Sequence, residues 1–451
     1  NTATGNRVHI TGTTTITAWT LTRGPRTVIF DGALQLTYHA TNNRLNSNGA
    51  NVTVEAGDMA YIESDGTTVF VNVIKKNGAA VAGGTPAFGA LGTKQVAAAI
   101  ASTTANAMCN LDSTRNFRVR RNASGYLIVD LLDQTGAVLG SSSVVESVAI
   151  TAGNPCIVPL TSTTALMSWQ TSGNTKAVHI SYSGISVTIG TVFVVEAVSG
   201  GPTSVVAFSA TKVAVIYPNS TTNMRYRVLT PGSTITAVAA AGTLLAADVS
   251  FLVRAAAMSS TQGLVAFMTG TTSVTAAAVT EASGVLTLGE QTTLWSSSSA
   301  NSGNCDIIYT GANSRFLAVV GAGAGGVNFV GYALTIDVAG TGSGATSRQG
   351  PAAYIPVTAS NLEARRLARV SDSVFISVAN VNGGASNIAA LAIRVTGSLA
   401  EPIAAASLNT GSNNSAIGVC ICGTSLLFAY ADGTNSDYPT TVPLPLGTVG
   451  S

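Results

Sequence analysis

Short apolar runs, cut by tight turns and returning in the same order, constrain this chain more than any other feature. One unit runs Val205-Val206-Ala207-Phe208, a break, Val213-Ala214-Val215-Ile216-Tyr217, then the turn Pro218-Asn219. It continues through Met224-Arg225-Tyr226-Arg227-Val228-Leu229, the turn Pro231-Gly232, and Thr234-Ile235-Thr236-Ala237-Val238. Runs this short, rich in β-branched residues and bounded by Gly, Pro and Asn, are strands rather than helices. The order returns from Phe251, Asp306, Leu367 and Ile417, and an earlier copy begins at Ala165. Four strands in roughly 40–60 residues is the size of a propeller blade. The spacing therefore predicts an all-β chain with a six-bladed β-propeller over residues 141–451, the alternative being tandem β-sandwiches. The last unit lacks a clear fourth strand, while residues 144–150 stand before the first unit as a spare one. Pairing the two would close the ring and remove its exposed edges.

Residues 1–78 read as a separate small β domain. Val8, Ile10, Thr14 and Ile16 alternate with polar residues, as do Val28 and Phe30, Leu34 and Leu36, and Val52 and Val54. Period two marks half-buried strands, and Asp31-Gly32, Asn48-Gly49 and Asp65-Gly66 are tight-turn dipeptides.

The words that carry this pattern are Gly5-Asn6-Arg7-Val8-His9-Ile10-Thr11-Gly12-Thr13-Thr14-Thr15-Ile16-Thr17, Arg26-Thr27-Val28-Ile29-Phe30-Asp31-Gly32-Ala33 and Gly49-Ala50-Asn51 with Ala56-Gly57-Asp58-Met59-Ala60. In this order they resemble a module of tail-fibre and tail-associated proteins of double-stranded DNA bacteriophages. The likeness spans residues 5–74 and carries no catalytic residue. Where that family often has Leu-Pro before Gly-Ala-Asn, this chain has Leu45-Asn46-Ser47-Asn48. The resemblance implies a structural virion protein of a tailed phage, on the exterior of tail or head: a tail fibre or receptor-binding component that meets a host surface glycan. Other virion proteins would be its partners, and a trimer is the common habit of fibres. A decoration protein without ligand and a glycan-degrading tail spike are the alternatives.

Composition narrows the class. Charged residues make up only 9% of the chain, against about a quarter in typical domains. Thr, Ser, Asn, Ala and Gly take their place, giving a neutral, hydroxyl-rich surface suited to packing beside identical copies. A net charge of +2 leaves no basic field for capturing nucleic acid. Disorder is excluded by a hydrophobic content of 46%. No membrane insertion is expected, because the longest apolar stretch, residues 237–258, is broken by Asp248 and Arg254. The chain starts at Asn1 without a signal-peptide pattern, and the missing Met suggests a trimmed start.

Between the two β regions, residues 79–115 form a linker rich in Ala, Gly and Pro. Val96, Ile100, Ala107 and Met108 fall at helical spacing within it and predict a short helix over 93–108. That helix would either plug its own domain or pack on a strand edge or a neighbouring subunit. Residues 116–140 read as a connecting β-hairpin, turned at Asn122-Ala123-Ser124-Gly125.

Signals for chemistry are sparse. His9, His39 and His179 are isolated, and Gly321-Ala322-Gly323-Ala324-Gly325-Gly326 has no following Lys-Ser or Lys-Thr, so it reads as a hairpin loop. The five cysteines, Cys109, Cys156, Cys305, Cys420 and Cys422, lack zinc spacing and read as buried free thiols, with Cys420 and Cys422 pointing the same way. No cofactor, metal or catalytic residue is expected. Paired carboxylates of a glycosidase would have to come from Asp248, Glu281, Glu290, Asp306, Asp337, Glu363, Asp372, Glu401, Asp432 and Asp437, most of which read as turn residues. Tyr217 and Tyr430 both end second strands and are the ligand-binding candidates on the glycan face. Arg365-Arg366 with Arg369 is the one small basic cluster and reads as a solvated blade edge or subunit contact.

Overall fold

The computed structural model describes residues 7–19, 26–39, 41–45, 51–64, 68–74, 76, 88, 91–96, 107–122, 124–146, 152–198, 201–219, 223–247, 249–269, 273–296, 304–324, 327–355, 361–382, 387–408, 413–432 and 438–446. The chain divides into two units, residues 1–89 with 446–451 and residues 90–445. Both are built from strands, and the described residues contain a single 3-10 turn, Gly342–Gly344, as their helical structure.

In the first unit the alternation seen in the sequence becomes a sheet ordered Arg7–Ile10, Arg26–Phe30, Met59–Ser64, Val69–Ile74, Arg44–Leu45, beside the pair Leu34–Leu36 and Val52–Val54. Val28, Phe30, Leu34, Leu36, Val52, Val54 and Ile62 turn inward into one core, while Gln35 and Thr53 face out. The Ala56-Gly57-Asp58 word is a turn. Gly57 takes φ +91°, a conformation that costs glycine little. Asp58 Oδ2 accepts the Glu55 amide at 2.8 Å and Oδ1 accepts the Lys76 amide at 3.0 Å. The turns at 48–49 and 65–66 lie outside the described residues.

The second unit is a seven-bladed propeller. Blade two is Ala152–Pro159, Thr164–Thr171, Asn174–Ser183 and Ser186–Ile189; blade three is Ser204–Ser209, Lys212–Asn219, Asn223–Thr230 and Thr236–Ala237. Blade four is Val249–Ala257, Gln262–Thr269, Ser273–Ala282 and Val285–Ser296; blade five is Asn304–Tyr309, Arg315–Ala324, Val327–Ala339 and Thr346–Gln349. Blade six is Asn361–Arg369, Val374–Asn382, Asn387–Thr396 and Leu399–Leu408. The first strands of successive blades neighbour one another all the way round, the last touching the first.

The six blades expected from sequence become seven because the stretch 107–141 is itself a blade. Its strands are Ala107–Asn110, Asn116–Arg121, Leu127–Leu132 and Val138–Ser141. The hairpin assigned to a connector is the middle of that blade one. The helix expected over 93–108 is also corrected: Gln95–Val96 and Ala107–Asn110 are strands, and residues 97–106 lie outside the described residues. Closure by an early strand does occur, but with a different strand. Blade seven is Asn413–Cys422, Ser425–Asp432 and Tyr438–Pro445, completed by Gln95–Val96. Val96 lies opposite Thr440 and Gln95 opposite Thr441, antiparallel. Residues 144–146 instead follow blade one, where the Val145 amide donates to Leu127 O at 2.9 Å.

The cores lie between blades. In blade four, Leu264, Ala266 and Met268 pack toward Phe316, Ala318 and Val320 of blade five. The intervening Val265 and Phe267 pack toward Ala214 and Ile216 of blade three. With both faces covered, this second strand buries nearly every side chain, which is why it reads as a continuous apolar run. Outer strands meet the next blade closely. A Cβ on Gly190 would stand 2.7 Å from Ser233 O of blade three, and Gly140, Gly289 and Gly350 abut Ile185, Ala345 and Ser398 of the blade that follows each.

Blades seven and one meet across a buried charged network. Arg118 Nε and Nη2 donate to Asp130 Oδ2 at 3.1 and 2.6 Å, and Arg120 Nε donates to the same oxygen at 2.7 Å. Arg118 Nη1 crosses the seam to Thr441 Oγ1 at 2.7 Å, and Ser141 Oγ donates to Asp130 Oδ1 at 2.7 Å. Burial pushes the Asp130 carboxyl up, but Arg118 and Arg120 outweigh it and hold it below its ordinary value. Its ionised form therefore stabilises the fold above about pH 4, the unfolded-state value. That contribution is lost as pH falls through the lowered folded-state value.

Arg118→Met leaves a buried carboxylate short of a partner and is expected to cost about 3–5 kcal/mol at pH 7, read from urea midpoints. Replacing the whole set, Arg118→Met and Arg120→Met with Asp130→Leu, is expected to restore much of that loss, because no buried charge is then left unpaired.

Candidate functional site

All seven first strands wall one axial cavity of about 980 Å³. Much of its lining is small or apolar, including Ala107, Val205, Ala255 and Gly418. Five charged residues stand among them: Asp112 of blade one and Arg369 of blade six, and, from three consecutive blades, Arg254 of blade four, Asp306 of blade five and Arg366 of blade six.

Local irregularity places several of these residues. The ladder between first and second strands breaks just before Cys156 in blade two, before Val253 and Arg254 in blade four, before Arg366 in blade six and before Gly418 in blade seven. Bulges of this kind re-aim side chains that a regular strand would send elsewhere. Arg254 Nε sits 3.7 Å from Asp306 Oδ1, and its Nη1 donates to Val253 O at 3.0 Å. Asp306 Oδ2 accepts the Leu367 amide at 2.7 Å. The Arg254 and Asp306 side chains are 17% and 14% exposed, so water reaches both. Burial raises the Asp306 carboxyl above its usual range, with Arg366 and Arg254 opposing. Arg366 is pushed down to about 10, first by burial and then by the like charge of Arg254. The Cys156 thiol borders the same cluster and is raised by burial, with both arginines pulling the other way.

Neither tyrosine singled out in the sequence belongs to this site. Tyr217 and Tyr430 are 0% exposed, so neither ring has a face to offer a sugar. Tyr217 Oη donates to Glu196 Oε2 at 2.7 Å. Arg225 grips the same carboxylate through Nε at 2.7 Å and Nη2 at 2.6 Å. Burial and the Glu196 carboxylate raise the Tyr217 hydroxyl well above its ordinary range. Tyr430 lies against Phe428 with ring centroids 5.9 Å apart. Both occupy second strands, whose two faces are covered, and that placement overrides the expectation of a tyrosine rim.

Arg366 and Arg369 both line the cavity instead of forming a solvated edge, and Arg369 also pairs with Asp372. Several of the described carboxylates are engaged by cations: Glu281 by Lys212 at 2.6 Å, Asp337 by Arg315 at 2.5 Å and Glu196 by Arg225. Asp112, the other carboxylate on the cavity wall, accepts the Thr114 and Arg115 amides at 2.6 and 2.9 Å. Asp248 and Asp437 lie outside the described residues. Cys420 and Cys422 share one cluster and face blade one, where Cys420 Sγ meets Asn116 Oδ1 at 3.2 Å. The five thiols are free and, with the exception of half-buried Cys156, buried.

In the sequence Arg254 reads as a break in an apolar run, and Asp306 as the head of a repeat and one of ten candidate carboxylates. The signal that could have found them is one charge inside the first run of successive repeats, visible once the repeats are set in register.

No protein-family model matches the chain, and no curated protein matches it. Among solved structures it is similar to a candidate 6-phosphogluconolactonase from Bacteroides fragilis: TM-score 0.46, 10% identity, 73% of this chain and 94% of that one. It is also similar to the Aleuria aurantia lectin with α-methyl-L-fucoside: TM-score 0.43, 11% identity, 71% and 98% of the two chains. The SapL1 lectin with α-methyl fucoside gives TM-score 0.42 and 15% identity over 68% and 98%.

Tyr217→Phe removes one of three donors to Glu196 and is expected to cost about 1 kcal/mol of stability, read from the thermal midpoint. A glycan-stacking tyrosine would instead leave stability unchanged and alter binding.

Proposed function

We propose that this chain is a structural protein of a tailed-phage virion whose propeller recognises a host surface glycan by reversible binding, with no covalent step. The observation that carries the recognition half is the axial cavity: about 980 Å³, neutral-walled, with a few convergent polar groups from blades four to six. Wide concave sites with sparse, placed polar groups are where proteins hold small ligands. The virion half is supported by the words in residues 5–74 that resemble a phage tail module. A low charge density also suits dense packing with other virion proteins, and a trimer is the assembly proposed.

Non-covalent recognition is favoured over glycan cleavage by how the acidic side chains are used. Cleavage needs two carboxylates facing each other across a cleft. Here Asp306 and Asp112, the described carboxylates of the cavity wall, are each engaged by neighbouring amides or arginines.

A glycan array probed with the intact chain tests the reading. Binding to a bounded set of host-type glycans, with no reducing sugar released from host envelope polysaccharide, is the expected result. Gold-labelled antibody should place the chain on the particle exterior. Absence of binding to every glycan would favour a decoration protein, and release of reducing sugar would favour a spike enzyme.

A further inference from the structure

Resting on the recognition reading, we infer that the axial cavity selects an acidic sugar and seats its carboxylate between Arg254 and Arg366. Two arginines and one aspartate, contributed by three consecutive blades, line the cavity, with Arg254 Nε 3.7 Å from Asp306 Oδ1 and Asp306 Oδ2 bonded to the amide of Leu367, the residue after Arg366. Asp306 leaves Arg254 Nε without a hydrogen bond. Its Oδ2 already accepts the Leu367 amide at 2.7 Å, and its Oδ1 stands 3.7 Å from Arg254 Nε, beyond hydrogen-bond reach. Arg254 Nε is buried with no acceptor bonded to it. A buried donor without an acceptor is costly, and a planar carboxylate matches the guanidinium fork in two parallel bonds. The depressed value of Arg366, caused by burial and by the neighbouring Arg254 charge, is what an added anion would relieve.

The other charges on the wall do not compete for this role. Asp112 is held within the blade one turn by Thr114 and Arg115, and Arg369 is paired with Asp372. Volume separates a sugar from a bare inorganic anion. A cavity of about 980 Å³ lies at the upper end of small-ligand sites, so an inorganic ion would leave most of it to water. The small, neutral residues elsewhere on the wall leave room for uncharged rings beyond the carboxylate.

Titration calorimetry on the intact chain tests this, using trigalacturonate and sialyllactose as acidic probes. Galactotriose and lactose serve as neutral counterparts, and inorganic phosphate as the bare anion. At least one acidic probe is expected to bind about tenfold or more tightly than its neutral counterpart. That affinity should fall as salt rises. Arg366→Gln and Arg254→Gln should each weaken binding about tenfold, and Asp306→Asn, which removes the competing carboxylate, should strengthen it. The opposite sign of Asp306→Asn keeps the test decisive where an arginine variant fails to fold. Equal binding of acidic and neutral probes, binding by neither acidic probe, phosphate binding as tightly as the sugars, or indifference to all three substitutions would each overturn the inference. If host glycans on the array bind wild type and arginine variants alike, this site falls while the recognition reading stands. If acidic probes bind as described but no host glycan does, the site stands and that reading falls.

Discussion

Blade three shows what the rest of the structure depends on. Val213, Val215 and Tyr217 pack toward blade two, while Ala214 and Ile216, the residues between them, pack toward blade four. Blade five repeats the arrangement, with Phe316, Ala318 and Val320 facing blade four and Leu317 and Val319 facing blade six. Each second strand therefore serves two cores at once, and each core belongs to two blades. Burying one such aliphatic or aromatic side chain contributes about 1.5–3 kcal/mol, but only when the neighbouring blade is in place. A repeat that cannot bury its faces alone depends on its neighbours. In an open row the terminal blades would each leave one face bare; here Met108 and Leu132 of blade one cover Cys420, Leu427 and Ala429 of blade seven, and Gln95–Val96 completes that last blade.

The sparse charges follow from the same geometry. Polar groups trapped between sheets must be matched, and many of the described acids are matched at seams. Glu196 of blade two holds Arg225 and Tyr217 of blade three, Glu281 of blade four holds Lys212 of blade three, and Arg118 of blade one reaches Thr441 of blade seven. Removing one partner of such a pair leaves a buried charge uncompensated, which is costly. The axial cluster differs in that its carboxylate is outnumbered by the two arginines around it, and it borders a cavity instead of a closed seam. Those two properties set it apart from the seam pairs.

The repeat of short apolar runs was legible because doubly covered strands leave continuous hydrophobic words such as Leu264–Met268. Blade one escaped the same reading for physical reasons. Its first strand, Ala107–Asn110, follows an alanine-rich stretch that carries helical spacing, and its fourth is only four residues long. Its second strand holds Arg118 and Arg120, which look like surface charges until Asp130 is placed opposite Arg118 by the hairpin register. Tyr217 and Tyr430 were correctly placed near the ends of second strands. Their exposure could not be read, because it depends on the adjoining blade and not on their own strand. Arg254, Asp306 and Arg366 were visible as residues but lie in three separate repeats, and only the ring brings them together. The words of the first unit, by contrast, owe part of their character to local turn geometry such as that of Gly57 and Asp58.

Closure can be tested directly by a cross-link that only the closed ring permits. Val96 and Thr440 are paired across antiparallel strands, a separation within the range that a disulfide spans. In the intact chain carrying Val96→Cys and Thr440→Cys, mild oxidation followed by peptide mapping should recover one intramolecular bridge between these positions. The oxidised chain should also unfold at a higher temperature than the reduced one. Recovery of both thiols unbridged, or of bridges joining separate chains, would contradict a propeller closed by its own early strand.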